Sequence, residues 1–469
     1  MSIEQKFDRS IVEGPILKAV WKLAWPTMLQ NMAAGIQGII DHTMVGHLVG
    51  YTGNAAIGIS WQIFLVVLVF ISSLYSGMGV LVARFVGANE KEKVNRTVYQ
   101  VVLASIVMAC CILAPIGYFL APALLDLVNA APAVKAEALP YLRIMFVFSV
   151  GKMLFFMLGG ALRAAGDAKT PLRLGLAVTI LNVTANIILI RGLGPIPALG
   201  TMGAAIGTVT AMCTISLYGL YLLFSNKLVI RFPPGMSLRP DFTIIKKLFQ
   251  FGLPTGFQGV IVNIGGVLLL RFIGSLPDSA ETQAVYTVGY TQLFSLITWS
   301  SVGLMGATAA VAGQNLGAGK PERTQKSTSR AAFIGLTLAS IVSSLFFFIP
   351  TTLLGFFGMV DGKVVDNGIE LLQYLAVSGF FVTVALAYTG GLQGTGDTRS
   401  PMFISLISQA VIPLGICAAF QYFSTLQAGH IWMAIVCGHF LRATLSILRF
   451  EQGKWKRIKV DLEPKARTA

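Results

Sequence analysis

Apolar residues run along the chain in long stretches that short polar segments separate. A membrane-spanning helix needs about 20 mainly apolar residues, and twelve stretches meet that length. We expect spanning helices at 22–48, 57–83, 98–120, 138–163, 173–192, 201–225, 248–274, 285–313, 330–355, 368–393, 401–420 and 430–449. The pattern therefore predicts an all-α polytopic membrane protein.

The same pattern occurs twice. LAWPTMLQNMAAGIQGIIDHTMVGHL aligns with FGLPTGFQGVIVNIGGVLLLRFIGSL at an offset of 228, and GALRAAGDAKTP aligns with GGLQGTGDTRSP at an offset of 230. These matches indicate a duplicated six-helix lobe, and two such lobes usually enclose a central cavity. The predicted domains are an N-terminal lobe at 1–225, a cytoplasmic linker at 226–247, a C-terminal lobe at 248–450 and a basic tail at 451–469.

The charges agree with this organisation. Only 12% of the residues are charged, yet the net charge is +15, whereas a soluble protein carries about 25% charged residues. Most of the 35 basic residues fall in segments that lie inside if the N-terminus is inside. We therefore expect both termini in the cytoplasm and the chain in the cell membrane. Basic residues divided among many short loops form no single patch, which argues against a nucleic-acid partner.

Polar residues follow helical spacing on two of the predicted spans. The first span carries one stripe at Gln30, Ala34, Gln37 and Asp41. The fifth span carries another at Thr179, Asn182 and Asn186. Because polar faces avoid lipid, the two stripes predict a hydrophilic pocket that contains one carboxylate. A buried carboxylate of this kind is suited to binding a proton, Na⁺ or an organic cation.

Several motifs resemble those of the multidrug and toxic compound extrusion (MATE) transporters. They are WPTMLQN…IIDHTMVGHL, LRAAGDAKTP, LNVTANIILIRGLG, LGTMGAAIGTV and LQGTGDTRSP, and the likeness extends over nearly the whole chain. The resemblance implies two six-helix lobes that export organic, often cationic, compounds by antiport against H⁺ or Na⁺. It also implies alternating access, in which the binding of the coupling cation expels the substrate.

The resemblance is closer to the DinF-like branch than to the NorM-like branch. DinF-like transporters couple transport through an aspartate on the first helix and an Asn-x-x-x-Asp motif on the fifth. Asp41 matches the first, whereas Asn182 and Asn186 match the motif with an amide in place of its acid. NorM-like transporters bind the cation through acids on the seventh and tenth helices, and 256–266 and 380–388 contain none. We therefore expect the cation-coupling site, for H⁺ or Na⁺, at Asp41, Asn182 and Asn186.

A sodium site needs several oxygen ligands, to which Thr201 or Thr208 could add, whereas a proton needs only Asp41. Because a proton needs fewer ligands than Na⁺, the sequence favours a proton as the coupling ion. In the repeat, Asp41 aligns with Leu269, while Asn182 and Asn186 align near Ile412 and Ile416. The polar site is thus predicted in the first half alone.

Other residues are candidates for neighbouring roles. Tyr286 and Tyr290 are predicted to line a substrate cavity through cation–π contacts, or to pack between helices. Lys152 stands inside the fourth span and needs a partner, which could be an acid. Asp167 and Asp397, in the two matched GD turns, are expected to cap helices.

The leading interpretation is a secondary active multidrug exporter that works as a monomer and needs no cofactor beyond its coupling ion. The alternative is a flippase for lipid-linked or polysaccharide precursors, for which a strongly cationic cavity would be expected. An enzyme is disfavoured, because the sequence contains no HExxH motif, no Walker A motif and no paired aspartates within a span.

Overall fold

The computed structural model describes residues 7–233, 235–237, 239–359 and 362–460. Its α-helices are α1 Ser10–Glu13, α2 Ile16–Leu48, α3 Tyr51–Gly87, α4 Lys91–Val107, α5 Ala114–Leu127, α6 Pro132–Val147, α7 Ser149–Ala164, α8 Lys169–Arg191, α9 Gly200–Phe224, α10 Phe242–Gly274, α11 Ser279–Tyr286, α12 Ser295–Gly317, α13 Pro321–Phe348, α14 Pro350–Phe356, α15 Gly362–Thr395, α16 Arg399–Ser405, α17 Ile412–Phe423 and α18 Ala428–Glu451. Shorter turns are π-helical at Met108–Leu113, Thr287–Leu293 and Leu406–Val411 and 3₁₀ at Lys454–Arg457. The described residues form no strand, so the predicted all-α fold is confirmed.

The helices account for the twelve predicted spans. Within the described residues, ten helical stretches are long and apolar enough to cross a membrane, and α6 and α7 pass the same test as one bent pair. The remaining long helix is α2, which has 33 residues. Its middle carries Gln30, Asn31 and Gln37, and its later part carries Asp41. This predicted span therefore combines sufficient length with several polar side chains.

Two predicted spans are interrupted. The span predicted at 138–163 bends by 49° between α6 and α7. Close to the bend, the Ser216 hydroxyl of α9 donates to Gly151 O of α7 at 2.7 Å. The span predicted at 330–355 ends at Phe348, because Pro350 disfavours helical geometry at Ile349.

The two GD turns have the same geometry. Gly166 and Gly396 both lie in the left-handed region, with φ of 100° and 99°, which glycine adopts at little cost. Asp167 Oδ1 accepts hydrogen bonds from the backbone N–H groups of Lys169 and Thr170. Asp397 Oδ1 accepts from the backbone and hydroxyl of Ser400. The prediction that both aspartates cap helices is confirmed.

The chain forms two compact units, and each unit combines segments that are separate in the sequence. The first unit contains 29–256, and the second contains 9–28 and 257–459. The division falls two residues after Pro26 in α2 and two residues after Pro254 in α10, where a proline interrupts the backbone hydrogen bonds of each helix. The predicted lobes are defined by the sequence repeat, which this division does not test. By packing, the first part of α2 belongs to the second unit, and the first part of α10 belongs to the first unit.

The linker and the tail also pack within these units. Gln100 of α4 donates to Arg239 O at 2.8 Å and accepts from the backbone of Asp241 at 3.0 Å. These contacts place the linker predicted at 226–247 in the first unit, where α10 already begins at Phe242. In the tail, the buried Trp455 donates to Phe450 O at 2.7 Å. Residues 461–469 of the predicted tail lie outside the described residues.

Close helix packing in the second unit depends on glycine. A Cβ at Gly394 of α15 would lie 2.1 Å from the carbonyl oxygen of Ala309 in α12. Helices within membranes commonly gain contact by such close backbone approach at small residues. The pairing of α12 with α15 therefore leaves no room for a side chain at this position.

We expect Gly394→Ala to destabilise the protein by about 1–3 kcal/mol, as overpacking in a core does. The matched control is Gly415→Ala in α17, where an added Cβ meets no atom within 4 Å. Thermal unfolding in detergent should show a lower midpoint for Gly394→Ala alone. Equal midpoints for the two variants would contradict the packing described here.

Candidate functional site

Asp41 lies on the later part of α2 and is bonded to α8. The Asn186 side chain donates from Nδ2 to Asp41 Oδ1 at 2.8 Å. The same nitrogen lies 3.5 Å from Asn182 Oδ1, because residues four apart share a helix face. Asn182 and Asn186 are fully buried and Asp41 is half-buried. The structure thus brings together the three residues predicted for the coupling site.

The network continues into α9. Asn182 Nδ2 donates to Thr208 Oγ1 at 3.0 Å, and the Thr208 hydroxyl donates to Ala204 O at 2.9 Å. The other threonine considered as a ligand, Thr201, is buried near the start of α9, and its hydroxyl bonds to none of the described residues. Three helices, α2, α8 and α9, therefore meet in one chain of bonds that includes Thr208 and omits Thr201.

One acceptor in this network is left open. Asn186 Oδ1 is buried and accepts no hydrogen bond from the part of the chain that the structure describes. A Cβ at Gly207 would lie only 2.1 Å from this oxygen, so the glycine makes room for the amide. An unpaired buried carbonyl costs about 1–3 kcal/mol. A free acceptor beside a carboxylate is an arrangement that attracts a proton or a small cation.

A polar seam extends from this site along α2. The Thr179 hydroxyl of α8 donates to Gln37 Oε1 at 2.9 Å, and Arg163 Nη1 of α7 donates to Gln30 Oε1 at 2.7 Å. Gln37 is buried and Gln30 is half-buried, whereas Ala34, which lies between them in the stripe, is exposed. Of the predicted residues, Gln37 and Thr179 are therefore bonded to each other, and Gln30 is bonded to α7.

Arg163 does not stand out in the sequence, because it lies at the end of the span predicted at 138–163, next to an inside segment. It is instead only 7% exposed. Besides Gln30, it contacts Tyr75, whose ring centre lies 5.6 Å from the guanidinium carbon. The feature of the sequence that could have indicated its role is its position in α7, one turn before the GD turn. Its bond to Gln30 holds α2 against α7 within the first unit.

Lys152 finds aromatic partners. Its Nζ lies 4.6 Å from the ring centre of Phe64 and 5.2 Å from that of Trp61, and the side chain is 8% exposed. It forms no ion pair with any described residue. The expectation of a partner is therefore met by two π faces of α3, through a cation–π contact, and not by an acid.

Tyr286 and Tyr290 belong to the second unit, where both line a cavity of about 410 Å³. Their rings stack on one another, with centres 5.0 Å apart and planes 10° apart. Trp432 covers Tyr286, and Phe294 and His439 stack on Tyr290. The predicted alternatives are thus both present: the tyrosines line a cavity and also pack face to face. These ring faces are largely occupied, which leaves little room for the predicted cation–π contacts.

Comparison with known sequences finds one family and many relatives. The sequence model of the MatE family matches residues 26–188 and 254–418, two segments that begin at the equivalent prolines of the repeat. A probable multidrug resistance protein NorM of Thermotoga maritima is 24% identical over 94% of both chains. An uncharacterized transporter YisQ of Bacillus subtilis is 22% identical over 93% of this chain and 94% of that one.

Solved structures share the fold. The outward-facing conformation of a multidrug resistance MATE family transporter of the MOP superfamily has a TM-score of 0.89 and 20% identity, over 97% of this chain and 100% of that one. A MATE in complex with MaL6 has a TM-score of 0.85 and 21% identity, over 96% and 99%. The match to these structures supports the twelve-helix, two-lobe membrane architecture.

The bond between Asp41 and Asn186 can be measured by a double-mutant cycle. We expect Asp41→Ala and Asn186→Ala to show a coupling energy of about 1.5–3 kcal/mol, the contribution of a hydrogen bond to a charged group. The free energy of unfolding in detergent would be determined for both single variants and the double variant.

The control cycle pairs Asp41→Ala with Thr184→Ala. Thr184 is exposed on the same helix and bonds only to Ile180 O. Its effects should add to those of Asp41→Ala within about 0.5 kcal/mol. Additivity in the Asn186 cycle as well would rule out the bond as a stabilising interaction.

Proposed function

The chain belongs to the MatE family of membrane transporters, and from that premise we propose that it exports organic compounds in exchange for a coupling cation. The family match covers most of the chain in two segments, and relatives in several bacteria carry the name probable multidrug resistance protein. Cationic compounds are proposed as substrates. The expected setting is the cell membrane, with both termini in the cytoplasm.

The coupling site is proposed at Asp41, and the observation that supports it is the bond from Asn186. Asp41 is the carboxylate of a network in which every other member is a neutral amide or hydroxyl. A side-chain amide can donate through its nitrogen to an ionised carboxylate, or accept through its oxygen from a protonated one. Asn186 is therefore suited to pair with Asp41 in both protonation states.

A proton is proposed in preference to Na⁺. Na⁺ requires several oxygens that converge on one point. Asn182 Oδ1 and Thr208 Oγ1 each accept a hydrogen bond within the network, so Asp41 and Asn186 Oδ1 are its least engaged acceptors. Protonation needs only one carboxylate oxygen. Na⁺ at Asp41, Asn182 and Asn186 would have to share these oxygens with the internal hydrogen bonds.

The proposed coupling results from a change in the hydrogen bonds that hold α2 against α8. Ionised Asp41 accepts a charge-assisted bond, which is roughly twice as strong as a neutral one. Protonation removes the charge and turns Asp41 into a donor towards Asn186, whose amide must rotate away from Asn182. Because these bonds join α2 to α8 and α9, the protonation state biases the packing of the first unit. The binding of a substrate that prefers one of these packing arrangements is therefore linked to the binding of the proton.

The proposal is tested in liposomes that contain the purified protein and a fluorescent organic cation, with a pH gradient and a Na⁺ gradient imposed separately. We expect the pH gradient to drive transport and Asp41→Asn to abolish it. The matched control is Asp278→Asn, which removes an exposed acid from the start of α11 and should leave transport intact.

Two outcomes would contradict the proposal. Transport that persists in Asp41→Asn would remove this residue from coupling. Transport driven only by the Na⁺ gradient would replace the proton with a metal ion.

A further inference from the structure

The chain after α18 forms a turn that is fixed against the helix. Gly453 lies in the left-handed region, with φ of 67°, which glycine adopts at little cost. The 3₁₀ turn Lys454–Arg457 follows. Within it, the buried Trp455 donates from Nε1 to Phe450 O and stacks on the Phe450 ring, with ring centres 5.0 Å apart. These contacts hold the turn at the end of α18.

The burial of Trp455 leaves the basic side chains of this turn in solvent. Lys454, Lys456 and Arg457 are exposed, and none of them forms an ion pair with a described residue. Residues 461–469 carry equal numbers of acidic and basic side chains. The side chains that follow the turn therefore do not cancel its charge.

The first turns of α13 bring two more basic residues to this end of the second unit. Gln325 Nε2 donates to Glu451 Oε2, which joins α13 to the last residue of α18 and engages the acid there. Lys326 follows Gln325 directly, and Arg330 lies one turn further along α13. Both are exposed, and neither pairs with an acid among the described residues.

The start of α16 adds one more basic residue. Arg449 of α18 pairs with Asp397 at 2.8 Å, so the acid that precedes α16 is already neutralised. Arg399 begins α16, is exposed and has no ion-pair partner in the described part of the chain. We define the basic surface as the exposed basic residues of these three elements: Lys326, Arg330, Arg399, Lys454, Lys456 and Arg457.

Exposed apolar side chains lie one turn from the basic surface on the same helices. Phe333 is three residues after Arg330 on α13, and Phe403 is four residues after Arg399 on α16. Residues at these spacings share a helix face. Because large apolar side chains exposed on a spanning helix face lipid, the basic surface lies where the hydrocarbon meets the headgroups.

The first unit treats the equivalent charge differently. Arg96 of α4 aligns with Lys326 at the offset of 230 and pairs with Asp241 at 2.7 Å. Lys93 on the same helix pairs with Glu90 at 3.1 Å. The second unit therefore exposes unpaired positive charge where the first unit pairs it within the chain.

We propose that the basic surface binds the headgroups of anionic phospholipids in the cytoplasmic leaflet, the side on which both termini are expected. Phosphodiester oxygens accept charge-assisted hydrogen bonds from Lys and Arg, and the acyl chains would lie against the exposed apolar faces of α13 and α16. Clusters of about four to eight basic residues at the cytoplasmic end of a spanning helix are typical of such binding. The surface is separate from Asp41 and requires only that the chain spans a membrane.

The first test compares two phospholipids that have the same short acyl chains, dioctanoyl phosphatidylglycerol and dioctanoyl phosphatidylcholine. Native mass spectrometry of the full-length protein in detergent measures the fraction of protein with bound lipid during a titration. We expect phosphatidylglycerol, whose headgroup has a net negative charge, to bind at least about tenfold more tightly. Equal affinities would overturn the inference. So would displacement of phosphatidylglycerol by an equal concentration of inorganic phosphate, which would indicate a site for free anions.

A charge variant tests whether the preference belongs to this surface. The variant removes the charge of the turn: Lys454→Gln, Lys456→Gln and Arg457→Gln. The matched control removes the same charge from exposed positions of the first unit: Lys169→Gln, Arg173→Gln and Lys246→Gln. We expect the preference for phosphatidylglycerol to fall at least about fivefold in the first variant alone. Equal losses in both would show an effect of net charge and contradict a defined site.

A second pair of variants keeps every charge and tests the fixed turn. Trp455→Ala removes the contact with Phe450 and should weaken the preference for phosphatidylglycerol, whereas Trp455→Phe keeps an aromatic ring there and should retain it. An unchanged preference in Trp455→Ala would contradict the role of the turn. The wild-type comparison decides the inference even if a variant fails to fold. Because these measurements involve no gradient, their outcome does not depend on whether Asp41 couples transport.

Discussion

The hydrocarbon core of a membrane offers no hydrogen-bond partner, so a polar side chain within a span must find one inside the protein. In the first unit this constraint produces a chain of bonds from Thr208 through Asn182 and Asn186 to Asp41. The bonds of Gln30 and of Gln37 continue it along α2. Since the bonds of Gln30, Gln37 and Asp41 join α2 to neighbouring helices, the packing of α2 depends on the pairing of its polar stripe. Under the proposed coupling, a change of protonation at Asp41 would therefore also change how α2 packs.

The two units differ in the polar side chains that they bury. Duplication supplied equivalent helices, but the position of Asp41 holds Leu269 in the second unit, where it forms part of a cavity wall. One turn along α18 from the cavity residue His439, Arg442 is buried, and its Nε has no hydrogen-bond partner among the described residues. The two units therefore differ in the charge of the side chains buried at these places.

The sequence was sufficient for the fold because hydropathy and helical spacing are local properties. Twelve spans, the repeat and the stripes of α2 and α8 could all be read from spacing, and the bond between Asp41 and Asn186 agrees with the predicted coupling site. Contacts between distant segments could not be read in this way. The aromatic partners of Lys152 and the pairing of Arg163 depend on how helices rotate against one another. The division of α2 and α10 after their prolines is likewise a property of packing.

The most direct test of the account is whether substrate binding releases a proton from Asp41. Calorimetric titration of the purified protein with the same fluorescent organic cation, in buffers of different ionisation enthalpy, counts the protons released on binding. Antiport at Asp41 predicts that binding to the wild type releases a proton and that binding to Asp41→Asn releases none, as linkage between the two ligands requires. Binding to the wild type without proton release, or equal release by the variant, would contradict it.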